Sequence, residues 1–202
     1  RGFPRWLGFA MSNARTKFGL PGDASADEVK ARWRELAGIR IELAIPDTPR
    51  LPPAQAAESV RREMRREFVF YDVPEMSSAE IPADVRLTVG GASAGFHSLA
   101  AAMDYLEAHP DKSVWVMNWD APDFPNDKSI AENCTLLILA GPRLDTQREP
   151  LAWIARPAVR SVADAEPAEG RSRVAQAWHD ALQAAAEQAK VEPARIGRVI
   201  HD

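Results

Sequence analysis

From residue 25 onward, apolar positions recur with two distinct periods, and the switches between them predict most of the elements. Val29, Trp33 and Leu36 follow at helical intervals behind Ser25-Ala26-Asp27-Glu28. That tetrad has capping-box spacing: the serine hydroxyl takes a first-turn N–H while the glutamate reaches back to the serine. A helix from Ala26 to Ala37, closed by Gly38, is the expectation. Ile39, Ile41, Leu43 and Ile45 then alternate with Arg40, Glu42 and Ala44, the period of a half-buried strand, which Pro46-Asp47-Thr48-Pro49 ends. Pro52 and Pro53 suit the entry of a helix carrying Val60 and Met64 on one side, and Phe68-Val69-Phe70-Tyr71 is predicted as the next strand.

The alternation continues after the Pro-containing connection 74–82. Val85 to Val89 reads as a strand and Gly90-Gly91 as a tight turn, followed by an Ala-rich helix with Phe96, Leu99, Met103 and Leu106 along its apolar side. Ser113 to Met117 is a further strand, and Asn118 to Asn133 a polar loop. Cys134 to Leu139 is an almost unbroken apolar run, of the kind expected where a strand is buried on both faces. Leu151 to Ala155 is predicted as a neighbouring strand, and Ser161 to Gly170 as a mobile surface connection. Val174, Trp178, Leu182 and Ala185 mark a long helix, and Ile196 to Ile200 a last strand. Residues 1–24 mix Pro4, Trp6, Phe9 and Phe18 without a period and read as an irregular arm; residues 25–202 read as one α/β domain.

Bulk properties narrow the function class. With 202 residues the chain can bury a core without a disulfide or metal staple, and the single Cys134 is most simply explained by a reducing, cytoplasmic setting. Lys+Arg 25 against Asp+Glu 29 are interspersed, which leaves no extended basic footprint for nucleic acid. The densest basic cluster, Arg61-Arg62-Glu63-Met64-Arg65-Arg66, is broken and flanked by glutamates and reads as the wet face of a helix. No apolar run approaches the roughly 20 residues that span a bilayer. A start at Arg1 rather than Met, and an end at Asp202 just after the last expected strand, fit a piece of a longer polypeptide.

Candidate chemistry gathers at two places. Gly90-Gly91-Ala92-Ser93-Ala94-Gly95 lies between a strand and a helix, where amides behind glycines can cradle an anion, but its spacing matches neither the dinucleotide fingerprint nor a P-loop. The glycines there are expected to serve close helix–strand packing. Ser93, with His97, His179 or His201 as base, resembles a nucleophile only loosely, since Gly-x-Ser-x-Gly is not met, and a helix cap is the simpler role. His109, before Pro110, suits the end of that helix. The second place is the loop Asn118-Trp119-Asp120-Ala121-Pro122-Asp123 with Asp127, whose carboxylates lack calcium-loop spacing and read as turn formers. Trp119 and Phe124 there, with Trp6 and Phe9 of the arm, are the expected partner-binding aromatics, because exposed aromatics often supply binding energy. No metal-ligand set and no cofactor motif is read.

From Val85 onward the order of elements resembles a thiolase or ketosynthase fold, which implies a layered α/β architecture, incomplete within this chain. Ala92-Ser93-Ala94-Gly95-Phe96-His97-Ser98-Leu99 resembles the elbow that carries the condensing-enzyme cysteine, with Ala92 at the position of the nucleophile. Ser113 to Ala121 is similar to the strand ending in a Gly-Gly-x-Asp-Ala turn, and Glu132 to Leu139 to the strand after it. The segment from Val174 to His201 looks like the approach to a catalytic histidine. The stretches Trp33 to Ile41 and Pro193 to His201 resemble the type VI lipase adapter protein family, whose members are similar to degenerate thiolases.

The resemblance implies a non-catalytic adapter that connects a phospholipase toxin to the spike of the type VI secretion machine. Gly91, Ala92, Ser93, Gly95 and His97 would then form a degenerate active-site turn. A second reading is an acyl-thioester or acyl-carrier-binding enzyme in which Ser93 or His97 stands in for the thiol. A third is an immunity protein that blocks a toxin.

Overall fold

The computed structural model describes residues 25, 27–28, 39–48, 51–70, 84–91, 93–120, 133–145 and 149–196. Residues Arg1–Glu149 form one compact unit and Pro150–Asp202 a second. At the first described position the capping box is made as the spacing predicts. The Ser25 backbone N–H and hydroxyl each donate to a Glu28 carboxylate oxygen at 2.8 Å, and the Glu28 N–H donates to the Ser25 hydroxyl at 3.3 Å. Asp27 and Glu28 are helical, and the rest of that expected helix lies outside the described residues.

The first unit is built on strand β1, Arg40–Ile45. Helix α1, Pro53–Phe70, leads to β2, Asp84–Val89; helix α2, Ala94–Ala108, leads to β3, Ser113–Asp120; and β4 is Asn133–Ala140. The strands form a mixed sheet in the order β2-β1-β3-β4, with β1 parallel to β2 and β3, and β4 antiparallel to β3. This is an α/β architecture. The first crossover runs from β1 to β2 and the second runs back from β2 over β1 to β3, so the two move across the sheet in opposite directions and their right-handedness puts α1 and α2 on opposite faces.

Register shows what each face carries. Arg40, Glu42 and Ala44 align with Asp84, Arg86 and Thr88 on one side and with Val114, Val116 and Asn118 on the other. Val114 and Val116 pack under Ala102 and Leu106 of α2, with Leu99, Tyr105 and Leu139 at the margin, so this is the α2 face. The opposite face holds Ile41, Leu43, Ile45, Trp115 and Met117, all essentially inaccessible to solvent.

The half-buried expectation for β1 is therefore corrected: both of its faces are covered. Alternation in the sequence reflects composition only, because α2 lies over the polar side. There the buried Glu42 carboxylate meets Arg40 Nε at 2.5 Å, and the Arg40 guanidinium lies 4.8 Å from the centre of the Tyr105 ring, which gives the charge a partner in an apolar setting.

Four other expectations change. Phe68, Val69 and Phe70 belong to the last turn of α1 rather than to a strand. Their β propensity yields to the continuation of a helix already nucleated. The buried stripe of α2 is Ala94, Ser98, Ala102 and Leu106, while Phe96 is 55% exposed. Spacing by four places small residues against the sheet and allows a close approach. The apolar run of β4 lies at a sheet edge and is largely exposed instead of buried on both faces. Leu151 to Ala155 is irregular and exposed, not a strand. Pro150 and Pro157 bracket it and withhold ladder donors.

The second unit centres on helix α3, Arg173–Ala189, which Ser172 caps by accepting the Ala175 N–H at 3.2 Å. Lys190 closes it in the left-handed region at φ 54°, and the Val191 N–H reaches back to the Ala186 carbonyl at 2.9 Å. Two hydrogen bonds join the stretch 161–170 to α3. The buried Gln176 side chain accepts from the Ala168 N–H at 3.3 Å and from Arg171 at 3.4 Å, and it donates to Asp180 at 2.8 Å. Arg173 adds a bond to the Ala163 carbonyl at 3.4 Å. Pro193–Arg195 form one 3-10 turn. Of the strand expected at 196–200, Ile196 is not extended into a ladder and the rest lies outside the described residues.

Candidate functional site

In an open α/β sheet, the crevice for a ligand falls at the carboxyl ends of the strands where the crossover direction reverses. Here that point lies between the ends of β1 and β3, beside the start of α2. Chain reversal after β2 is anchored by the Gly90 N–H, which donates to the Ile45 carbonyl at 3.2 Å, and by the Ala94 N–H, which donates to Gly91 at 2.9 Å. Among the residues of the expected degenerate turn, Gly91, Ser93, Gly95 and His97 are brought together there, and Ala92 lies outside the described residues.

Each takes a definite role. Ser93 occupies the N-cap position but its hydroxyl accepts no capping bond. Its backbone carbonyl instead receives the His97 N–H at 3.1 Å, and the His97 side chain faces solvent. Gly95 makes the closest approach among the glycines of this turn: a methyl group there would sit 3.0 Å from the Asn118 amide nitrogen on β3, and that side chain would have to give way. Gly91 has open space around it and Gly90 only an ordinary contact with Ala94, so of the three glycines expected to serve close helix–strand packing Gly95 is the one in tight contact. Ser98, one turn into α2, is completely buried and its hydroxyl has no hydrogen-bond partner among the described residues.

The carboxylate loop begins later than the sequence indicates, because β3 continues through Trp119 to Asp120. This corrects the reading of Trp119 as an exposed anchor. Its indole is 8% exposed and sits on the β3 face shared with Trp115 and Met117. A tryptophan next to turn-forming residues looks solvent-facing in a sequence; here the strand runs on past Met117, and two positions further Trp119 falls on the same inward face. Phe124, Trp6, Phe9 and His201 lie outside the described residues. Among the described residues no three of His, Cys, Asp and Glu are gathered closely enough to hold a metal ion, and no helix is long and apolar enough to cross a membrane.

Apolar surface that the sequence reading missed stands out in the second unit. Leu151 and Trp153 are 106% and 85% exposed, Ile154, Val159 and Val162 are exposed in the same segment, and Val174 and Trp178 on α3. Pro150 and Pro157 were the available signal, since they argue against strand pairing for the residues between them. Between Glu149 and Asp164 the only charged side chains are Arg156 and Arg160. No protein-family model, no curated protein and no solved structure matches this chain.

Proposed function

We propose that the chain is a non-catalytic adapter that binds a lipase-type toxin effector and helps to load it onto the type VI secretion machinery. The single observation behind a protein-binding role is the irregular segment from Leu151 to Ile154, whose three large apolar side chains are exposed. Covering each would contribute roughly 1.5–3 kcal/mol, which makes a cluster of this kind an anchor for a partner. The choice of partner rests on the likeness of the stretches Trp33 to Ile41 and Pro193 to His201 to type VI lipase adapters. A thiolase-like arrangement, with Ala92 where a nucleophile would stand, is part of the same proposal.

Co-purification of the chain with a lipase-domain effector, comparing wild type with Leu151→Ser/Trp153→Ser, tests this. The double variant should weaken capture at least about tenfold, a loss of about 1.4 kcal/mol, and leave the unfolding midpoint unchanged, because both side chains are already in water. Equal capture by the two proteins refutes the anchor. A stable acyl adduct, seen by intact mass after incubation with an acyl thioester, refutes the non-catalytic reading.

A further inference from the structure

β1 lies inside the sheet with both faces covered, and that removes the usual signal that fixes a strand's register. Where one face is wet, a slip of one residue turns the apolar side chains outward and is rejected; where both are dry, apolar pattern no longer separates the two alignments. Arg40 and Glu42 supply the missing signal. The Glu42 side chain is 3% exposed and its carboxylate pairs with Arg40 Nε, while the Arg40 guanidinium lies over the Tyr105 ring. Tyr105 packs in turn on His109 at the C-cap of α2, with the ring centres 4.6 Å apart.

The two faces offer these charges unlike surroundings. In the observed register Arg40 stands beside Asp84 and Glu42 beside Arg86 on β2, so each charge has an opposite one across the ladder. A slip of one residue sends the even-numbered positions of β1 to the other face. Glu42 is then aligned with Val85 or Leu87 of β2 and with Trp115 or Met117 of β3, all of them apolar. Among the described residues the buried ionisable side chain of α1 is Glu63, an acid, which offers Glu42 no opposite charge. On that side the pair lacks both Tyr105 and the β2 charges, and without such further partners the desolvation of a buried ion pair outweighs its mutual attraction.

We propose that the Arg40–Glu42 pair is a register lock for β1: it fixes which face and which alignment the strand takes, and contributes little to net stability. In the observed register desolvation and attraction nearly offset each other, as is common for buried pairs, whereas the slipped register has only the desolvation. The consequence reaches the candidate site. The Ile45 carbonyl at the end of β1 accepts the Gly90 N–H at 3.2 Å, so the alignment of β1 sets where the turn before α2 sits. A strand one residue out of place would carry that anchor about 3.3 Å along the sheet.

Urea unfolding and two-dimensional amide NMR of the full chain test the lock. Arg40→Met strands a buried carboxylate and should raise the unfolding constant roughly a hundredfold or more. Arg40→Met/Glu42→Leu removes both charges and should bring that constant back to within about tenfold of wild type, while the amides of β1 and of Gly90 split into more than one set or broaden through exchange. Stability is regained and uniqueness is lost. Should the double variant not fold, Glu42→Met alone serves, because Arg40 begins the strand and reaches water; the same splitting is expected. One sharp set of amide resonances with the wild-type cross-strand contacts between β1 and β3, in whichever of these variants folds, overturns the proposal. So does a double variant as unstable as Arg40→Met, since the pair would then be a plain source of stability. Neither readout involves Leu151 or Trp153, so the lock and the adapter reading fail separately.

Discussion

Gly141 follows β4 directly, and its replacement by alanine is the perturbation whose cost the structure states most fully. A methyl group built there would lie 2.6 Å from the Pro110 carbonyl carbon and 2.9 Å from its Cα, and closer still to the carbonyl oxygen. All three atoms are backbone, so no side chain can swing aside. Relief requires moving the end of β4 away from the turn after α2. That movement stretches two bonds holding them together: the Gly141 N–H to the Lys112 carbonyl at 2.8 Å, and the Arg143 N–H to the Pro110 carbonyl at 2.9 Å.

Overpacking of this type costs about 1–3 kcal/mol, and each weakened hydrogen bond about a further 1 kcal/mol, which sums to roughly 3–5 kcal/mol. With a urea dependence near 2 kcal/mol per molar, the midpoint should fall by roughly 1.5–2.5 M. Gly91→Ala is the matched control. Nothing lies within 4 Å of a methyl group there, so its midpoint should hold or rise slightly through the lower entropy of the unfolded chain. Equal midpoints for the two variants in urea titration followed by far-UV circular dichroism would refute the claim that the approach of Pro110, rather than glycine itself, sets the requirement.

Two further outcomes follow from the fold. Trp119→Ala should destabilise by about 3–5 kcal/mol in thermal unfolding, as for other buried large-to-small changes; an unchanged midpoint would restore the exposed-anchor reading. At the helix start, the Ser25 backbone N–H and then its hydroxyl hold the Glu28 carboxyl below the usual glutamate range. A carboxyl depressed in the folded state contributes stability that is present above its unfolded value and lost as pH falls through the lowered one. Ser25→Ala removes the hydroxyl but keeps the backbone N–H, so it should move the Glu28 midpoint only part of the way back up in a carbon-detected NMR titration, and no movement would show that the hydroxyl contributes nothing.

What the amino-acid sequence determined by itself was local. The capping box at Ser25, the strands at β1, β2 and β3, and helices α1, α2 and α3 were all legible because each is written in nearest-neighbour chemistry and a short period. So was the glycine turn between β2 and α2, although not which glycine is in tight contact. That depends on Asn118, twenty-three residues beyond Gly95, and only the close approach of α2 to β3 brings the two together. The tertiary structure alone decided burial. β1 looks half-wet until α2 covers Glu42; Trp119 looks wet until β3 runs one turn-former further; and β4 looks like a central strand until the order β2-β1-β3-β4 sets it at an edge. The physical reason is common to all three. Hydrophobic pattern records what a side chain would prefer to touch, whereas exposure depends on which distant segment arrives to touch it.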